Sequence, residues 1–473
     1  MKKLKYSLVA LLALGVLNQI SAEEVQAEGA EQKTQEAGVD KSVPPSTKTS
    51  IMDALEGTTI GGYVYGQVTS MFGSDADGTA FRVRTMMDVN TGAYYGFSVG
   101  TRIFASMGGG APNGGTFIQN SGLKPNYSPA GAIPVGLLAL YGRATFESSA
   151  TVITAGKINI AAPFADQGWD FGYGVSLDNY DVEGVGFHLQ AYGAWGLDNG
   201  NSIEGAYNFI NQSSEADSNI VSENPMFIFG ISGDKSKLAG VGFDIWAMHV
   251  LDTVDFMTYL DLNYTIAGVK LQTQVATTQV NTSSRYFNHG GVSNDGTVSD
   301  RSAKLRGLYN VHLGYEGETS GVVASVGYTG SFGDGYGALL NYVGSFNMGG
   351  QIWWDTLSSG ANGYGMTGVG GYKNANGQNS TIQVVYASLG YKGVKNLSMI
   401  LDYAWISGNN NYGLMKKGIK NHAGLTNMNA DFHEVTLSVK YAFTDKLSMT
   451  ILGGSTFGDL QMGRARFRLN YSF

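Results

Sequence analysis

Three arginines alternate with apolar residues at the C-terminal end of the chain, in RARFRLNYSF. In an extended segment, successive side chains point to opposite faces. Arg464, Arg466 and Arg468 therefore share one face, where they place fixed positive charge. The opposite face carries Ala465, Phe467, Leu469, Tyr471 and Phe473. This segment requires water on one face and an apolar environment on the other. The segment alone does not distinguish a lipid bilayer from the core of a soluble protein.

Residue types used in covalent and metal chemistry are sparse or scattered. The absence of cysteine excludes disulfides, thiolate metal sites and a cysteine nucleophile. The six histidines are dispersed, and His433-Glu434 lacks the second histidine of a zinc-protease motif. Asp75 and Asp77 favour a turn, because no glutamate closes a calcium loop after them. The sequence therefore predicts no metal, no cofactor and no enzyme active site.

The first residues indicate export. Three lysines precede an apolar run that is too short for a membrane-spanning helix, and a cleavage site follows Ala22. We predict a signal peptide over residues 1–22. Residues 23–56 are polar and carry no strand pattern, which predicts a flexible periplasmic tail with a short helical turn near Ile51. A barrel domain would then occupy residues 57–473.

Composition and charge narrow the function classes. The chain holds 68 glycines and 27 tyrosines, with aromatic residues at 12%. The formal charge of -8 becomes -11 once the three lysines of the predicted signal are removed. A strongly acidic chain is a poor partner for nucleic acid.

Alternation with a period of two recurs from Thr59 to the C-terminus. FRVRTMMDV, HEVTLSVKYAF and NLSMILDYAW all show it, and the pattern is typical of half-buried strands. We predict eighteen such strands. Residues 338–354 could supply a further pair, so sixteen or twenty strands stay open as alternatives.

The connections between the predicted strands differ in length at the two ends. The odd-numbered ones tend to be long and rich in Gly, Asn and Ser, whereas the even-numbered ones are tight turns such as Ala267-Gly268. Outer-membrane barrels have this asymmetry and an even number of antiparallel strands. The predicted fold is an all-β transmembrane antiparallel barrel. Its apolar face would touch lipid, and its polar face would line a water-filled tunnel with no apolar centre.

The lysine-rich start, the segments SIMDALEGTTIGGYVYGQV and TVITAGKINIAAPFADQGWDFGYGVSL, and the aromatic last strand resemble the Campylobacter-type major outer-membrane porins. They resemble the OprD-like porins more distantly. The resemblance implies an eighteen-stranded, homotrimeric, cation-favouring diffusion pore whose third outer loop folds inward. It also implies that the terminal Phe473 is read by the barrel-assembly machinery.

By this resemblance, residues 160–171 form the third loop, and Asp166 and Asp170 are its acids at the constriction. Carboxylates in a narrow wet passage attract cations. Two ordinary loop acids are the alternative interpretation.

A basic wall is expected opposite the acids. Closure of a barrel makes its last strand a neighbour of its first. The expected wall residues are Arg82, Arg84, Arg102, Arg306, Arg464, Arg466 and Arg468. The alternative is that some of them pair with wall carboxylates such as Asp88 and only support packing.

The predicted function is a general diffusion porin that passes small hydrophilic solutes, with a preference for cations. Its expected partners are outer-membrane lipids and lipopolysaccharide. A surface adhesin acting through the long loops and an outer-membrane enzyme are the alternatives. Trp353 and Trp354 offer a sugar-stacking surface, but the packing of a folded loop against the lumen is the simpler explanation.

Overall fold

The computed structural model describes residues 50–74, 78–109, 135–168, 170–197, 224–284, 302–317, 319–341, 344–353, 365–366, 369–371, 373, 377–410 and 428–473. The predicted signal peptide, residues 23–49 of the predicted tail, Asp75, Asp77 and Trp354 lie outside the described residues. None of the helices in the described part of the chain is long and apolar enough to cross a membrane.

Eighteen antiparallel strands form one closed sheet, which confirms the predicted architecture. Each strand pairs with its neighbours in the chain, and β1 also pairs with β18. The strands are β1 Thr59–Gly73, β2 Gly78–Asn90, β3 Phe97–Gly109, β4 Val135–Phe146, β5 Thr151–Asn159, β6 Phe171–Asn179, β7 Val185–Gly196, β8 Met226–Gly233, β9 Val241–Val250, β10 Val254–Ile266, β11 Val269–Val280, β12 Leu305–Glu316, β13 Val322–Gly333, β14 Gln383–Tyr391, β15 Leu397–Asn410, β16 Met428–Ala442, β17 Leu447–Gly458 and β18 Met462–Ser472.

Adjacent rows of residues across β14 to β16 show how the pleat separates the two environments. Leu389, Leu401 and Leu437 lie side by side in register and expose 60%, 49% and 42% of their surface on the outside of the barrel. The next row, on the inside, pairs Asp402 with Ser388 and with Thr436. A shift of one residue in register would exchange these faces, so the alternation specifies the pairing.

The ends of the barrel differ as the loop pattern predicted. The long connections include residues 110–134, 160–170, 281–304 and 334–382, and the strand ends that they join are all at one end of the barrel. We call 160–170 the third loop and 334–382 the seventh loop. Within its described residues the seventh loop forms two isolated bridges, Gly335 to Arg306 of β12 and Leu339 to Gly365, and a 3-10 turn, so the possible extra strand pair is absent there.

A short helix, α1 (Ile51–Glu56), precedes β1 at the end with the tight turns. The buried Ala54 accepts a backbone hydrogen bond from Gly92 in the turn after β2, at 2.9 Å. At the same end, Phe473 exchanges two backbone hydrogen bonds with Gly62. The last residue of the chain therefore helps to close the barrel.

Gly156 bends β5 just before the third loop. Its φ is +135°, and a Cβ there would lie 2.4 Å from the carbonyl oxygen of Leu140, so only glycine fits. The bend leaves Lys157 on the outside of the barrel, where its ammonium donates to the carbonyl oxygen of Leu137 at 2.6 Å and lies 4.2 Å from the ring centroid of Phe171. This local geometry turns the chain into the lumen after Asn159.

Candidate functional site

The third loop folds into the lumen, and its two acids hold it together. The carboxylate of Asp170 accepts a hydrogen bond from the backbone N–H of Asp166 at 2.8 Å and another from the Asn341 amide at 2.9 Å. The carboxylate of Asp166 accepts from the backbone N–H of Gly168 at 3.1 Å. Asp166 exposes 7% of its surface and Asp170 none. Both acids were expected at the constriction, but their burial gives them a structural role in the loop.

Arg102 fastens the third loop to the wall. Its guanidinium donates to both carboxylate oxygens of Asp88, at 2.7 and 3.1 Å, in a bidentate pair. It also donates to Asn159 at 3.2 Å and to the carbonyl oxygen of Gly168 at 3.4 Å. The alternative considered for the arginines, pairing with Asp88, therefore holds for this residue.

The seventh loop is held by a carboxylate of the barrel wall. Glu434 on β16 is buried and accepts backbone N–H bonds from three consecutive loop residues, Gln351, Ile352 and Trp353. Gly350, with φ of +78°, turns the chain so that these N–H groups converge. An ionised carboxylate that accepts several N–H groups makes charge-assisted bonds, which are about twice as strong as neutral ones.

Uncharged wall residues hold the rest of the seventh loop. The Gln274 amide donates to the carbonyl oxygen of Ser345 at 3.0 Å and accepts from the N–H of Asn347 at 2.8 Å. The hydroxyl of Thr278 donates to the carbonyl oxygen of Ala338 at 2.7 Å. Inward polar positions on β11 thus serve as loop anchors, a role that the sequence analysis missed.

Arg306 belongs to the same set of anchors. It is completely buried and donates to the carbonyl oxygens of Ala303 and Met366, at 2.8 and 2.7 Å, and to the Ser302 hydroxyl at 3.1 Å. Arg306 lies on the inner wall as its strand position implies, but the loop covers it. Its charge is therefore not presented to water in the lumen.

An apolar cluster packs the seventh loop and part of the third loop against the inner wall, which corrects the expectation of an interior without an apolar centre. Side chains of the seventh loop pack against apolar residues on the inner wall, so some strands are apolar on both faces. Trp353 shows this packing, since its ring meets Phe432 with 6.1 Å between centroids. This contact favours the loop-packing interpretation of that tryptophan. Cluster members include Phe164, Trp195, Ile228, Met248, Leu308, Leu340, Phe346, Ile352 and Trp353.

The remaining basic residues flank β1. β18 contributes Arg464, Arg466 and Arg468, and β2 contributes Arg82 and Arg84, with β1 between the two strands. We call these five residues the basic wall. Arg82, Arg84 and Arg466 are partly exposed, and Arg464 and Arg468 are buried.

Arg468 shows how β1 supports the basic wall. Its Nε donates to the Gln67 side chain at 2.8 Å. Its guanidinium carbon lies 4.5 Å from the ring centroid of Tyr65. The aromatic face of Tyr65 and the amide oxygen of Gln67 therefore both contact the guanidinium, and these contacts stabilise a charged side chain at a buried position.

Acidic residues lie on the far side of the barrel. β10 is diametrically opposite β1 in the closed order of strands. Asp244 on β9 is directly opposite Asp261 on β10 in register, and Asp178 lies on β6. The Asp261 carboxylate accepts from the amides of Gln272 and Gln274, at 2.6 and 2.8 Å. Inward acids on the barrel wall are therefore present in addition to the two buried acids of the third loop.

Metal chemistry has no support among the described residues, which contain no group of three or more His, Asp or Glu side chains able to hold an ion. The absence of a cofactor stays a prediction, because the structure consists of the protein chain alone.

Comparison with solved structures identifies the fold. The chain resembles the OccK8 (OprE) protein of Pseudomonas aeruginosa with a TM-score of 0.57 and 16% identity, over 89% of this chain and 99% of that one. It resembles OprD of the same organism with a TM-score of 0.52 and 14% identity, over 91% of this chain and 97% of that one. The chain also resembles OccAB1 of Acinetobacter baumannii with a TM-score of 0.61 and 11% identity, over 91% of this chain and 99% of that one.

These neighbours are outer-membrane porins of the OprD/Occ family. No protein-family model matches the sequence, and no curated protein is similar to it in sequence. The more distant of the two resemblances in the sequence, to the OprD-like porins, therefore agrees with the fold. The nearer one, to the Campylobacter-type porins, stays a prediction.

Proposed function

We propose that this chain forms a water-filled pore in an outer membrane and passes small hydrophilic solutes down their gradients. The observation that carries the proposal is the closed eighteen-stranded barrel with an apolar outer face. Barrels of sixteen to eighteen strands are wide enough to leave a channel, and inward loops narrow it. The likeness to porins of the OprD/Occ family supports the same function.

We infer a preference for anions. The family resemblance implied cation preference, with Asp166 and Asp170 as the acids at the constriction, but these acids are buried in the third loop. The basic wall instead offers three partly exposed arginines to the lumen. Fixed positive charge beside a narrow passage raises the local concentration of anions.

Single-channel recording in a planar bilayer with a tenfold salt gradient tests both parts of the proposal. We expect discrete conductance steps and a reversal potential with the sign of anion preference. A protein that folds in detergent and inserts but never conducts would overturn the pore. Steps with cation preference would overturn the anion inference and leave Asp166 and Asp170 as candidates.

Membrane insertion predicts the cost of a charge on the outer face. Leu401→Arg is expected to lower the free energy of unfolding by roughly 2–4 kcal/mol, because the side chain would enter the apolar layer. Urea titration in lipid vesicles measures this cost. Leu401→Ala is the control, since it removes apolar contact without adding charge. Equal stability of the two variants would contradict a lipid-facing Leu401.

We also propose four properties that the sequence and its family resemblance imply. The pore passes solutes by general diffusion without a dedicated solute, and the chain assembles as a homotrimer. The barrel-assembly machinery recognises Phe473, and basic residues at the rim contact lipopolysaccharide. The loops on which an adhesin role depends lie largely outside the described residues.

A further inference from the structure

Three polar side chains from neighbouring strands meet on the inner wall, close to the end with the tight turns. The Nδ1 atom of His188 on β7 lies 2.7 Å from the carboxylate of Asp178 on β6. The Nε2 atom of the same ring lies 2.9 Å from the hydroxyl of Ser232 on β8. Both contacts are within hydrogen-bond distance, and they connect a carboxylate, an imidazole and a hydroxyl in series.

The strand register produces this arrangement. Asp178 is directly opposite His188 in the pairing of β6 with β7. Ser232 is opposite Gly186 in the pairing of β7 with β8, so it is diagonal to His188. Diagonal neighbours are close enough for long side chains to interact.

Aromatic rings fix the imidazole from two sides. The Trp246 ring stacks on it with 4.9 Å between centroids and 15° between planes. The Tyr180 ring meets its edge at 5.9 Å and 73°. Because an ionised carboxylate only accepts, the Asp178 contact places the proton of the neutral ring on Nδ1. Nε2 then accepts the hydroxyl proton of Ser232, as a general base requires.

Gly186 lets three side chains pack closely against β7. A Cβ there would lie 2.8 Å from the Ser232 hydroxyl, 2.9 Å from Nε2 of His188 and 2.9 Å from a ring carbon of Tyr180, so any larger residue would displace them. Ser232 itself is partly exposed.

We propose that Ser232, His188 and Asp178 form a nucleophilic centre that cleaves small carboxylic esters entering the lumen. Ser232 Oγ attacks the carbonyl carbon while its proton passes to His188 Nε2. The bond from carbon to the alkoxy oxygen breaks, and the leaving alcohol takes the proton from the imidazolium. Water, activated by the same nitrogen, then releases the acid and restores the serine. Asp178 is a positioning residue that holds the ring and its tautomer.

The surroundings specify the class of ester. Asp244 is directly opposite Ser232 in the pairing of β8 with β9, and Asp261 is opposite Asp244 in the next pairing. Negative charge next to the nucleophile repels anionic substrates. The centre therefore takes neutral or cationic esters. General-base assistance accelerates such a reaction by about 10²–10⁴-fold, so turnover is slow.

Covalent labelling tests the nucleophile directly. The full-length folded protein in detergent is treated with a neutral alkyl fluorophosphonate, and the modified peptide is located by mass spectrometry. We expect the label on Ser232, with its rate at least tenfold lower in His188→Gln. A label that is absent, or spread over several serines, would overturn the proposal.

Two glycine variants on β7 test the contact between the serine and the histidine. The new Cβ of Gly186→Ala would lie within 3 Å of Ser232 and His188, so it is expected to displace the hydroxyl from Nε2 and to lower the labelling rate at least tenfold. Gly193→Ala is the matched control, because a Cβ there meets no atom within 4 Å. Equal labelling rates in the two variants would contradict the proposed role of the contact. A change in electrophoretic mobility after heating confirms that each barrel was folded before heating.

Ester turnover gives a second readout. 4-nitrophenyl acetate should be hydrolysed by the wild-type protein and not by Ser232→Ala, whereas Ser325→Ala should keep the activity. Ser325 is the control because its hydroxyl contacts another serine, Ser388, at 2.7 Å. In Asp178→Asn the maximal rate should fall at least tenfold with KM little changed. Hydrolysis that persists in Ser232→Ala would overturn the proposal without affecting pore formation, which is measured separately.

Discussion

Replacing Glu434 with alanine is expected to release the seventh loop and produce a larger, noisier single-channel conductance. The substitution removes the acceptor for the backbone N–H groups of Gln351, Ile352 and Trp353. A buried N–H without a partner costs about 1–3 kcal/mol, so three of them make the inward position of the segment unfavourable. Planar-bilayer recording measures the change in step size and in open-channel noise.

Two further variants sharpen this test. Thr436→Val is the matched control, since Thr436 faces inward two residues along the same strand and Glu434 keeps its loop contacts. Glu434→Gln keeps one carbonyl acceptor and is expected to give an intermediate conductance. If Glu434→Ala conducts with the wild-type step size and noise, the wall carboxylate does not hold the loop.

Replacing Arg82, Arg84 and Arg466, the partly exposed members of the basic wall, together with glutamine is expected to move the reversal potential in a salt gradient towards that of a cation-preferring channel. At 4 Å in water, one unit charge attracts a counter-ion by about 1 kcal/mol. Each lost arginine should therefore lower anion entry roughly five-fold at low salt. The shift should shrink as ionic strength rises, because salt screens the lost charges.

A matched triple variant controls for the change in net charge. Lys235, Lys237 and Lys392 lie in the turns between strands, away from the lumen wall, and their replacement by glutamine removes the same charge. We expect the reversal potential of this variant to stay at the wild-type value. Equal shifts in the two triple variants would show that total charge, not the basic wall, determines selectivity.

The number of strands and the direction of their faces followed from the sequence. Leu389, Leu401 and Leu437 share the outer face of the sheet, and contact with lipid requires apolar residues at such outward positions. The order of strands followed as well, because each tight turn joins neighbours. This order implies that the last strand pairs with the first. The backbone hydrogen bonds between Phe473 and Gly62 are part of that closure.

The acids of the third loop have contacts that the sequence does not reveal. Asp166 and Asp170 were interpreted as charges facing water, since a loop acid is normally solvated. Their burial results from contacts with backbone N–H groups and with Asn341, which is distant in sequence. No local pattern reports such a partner.

The sequence by itself determined the barrel, its apolar exterior and the position of the basic wall, because these depend on alternation along single strands and on the order of neighbours. Tertiary structure alone decided which inward residues meet. Glu434 became a loop anchor, and Asp178, His188 and Ser232 came together, through register across strands and the path of a long loop. Side chains that interact diagonally or through a folded loop leave no periodic signal, since their spacing in the chain is set by the turns and loops between them.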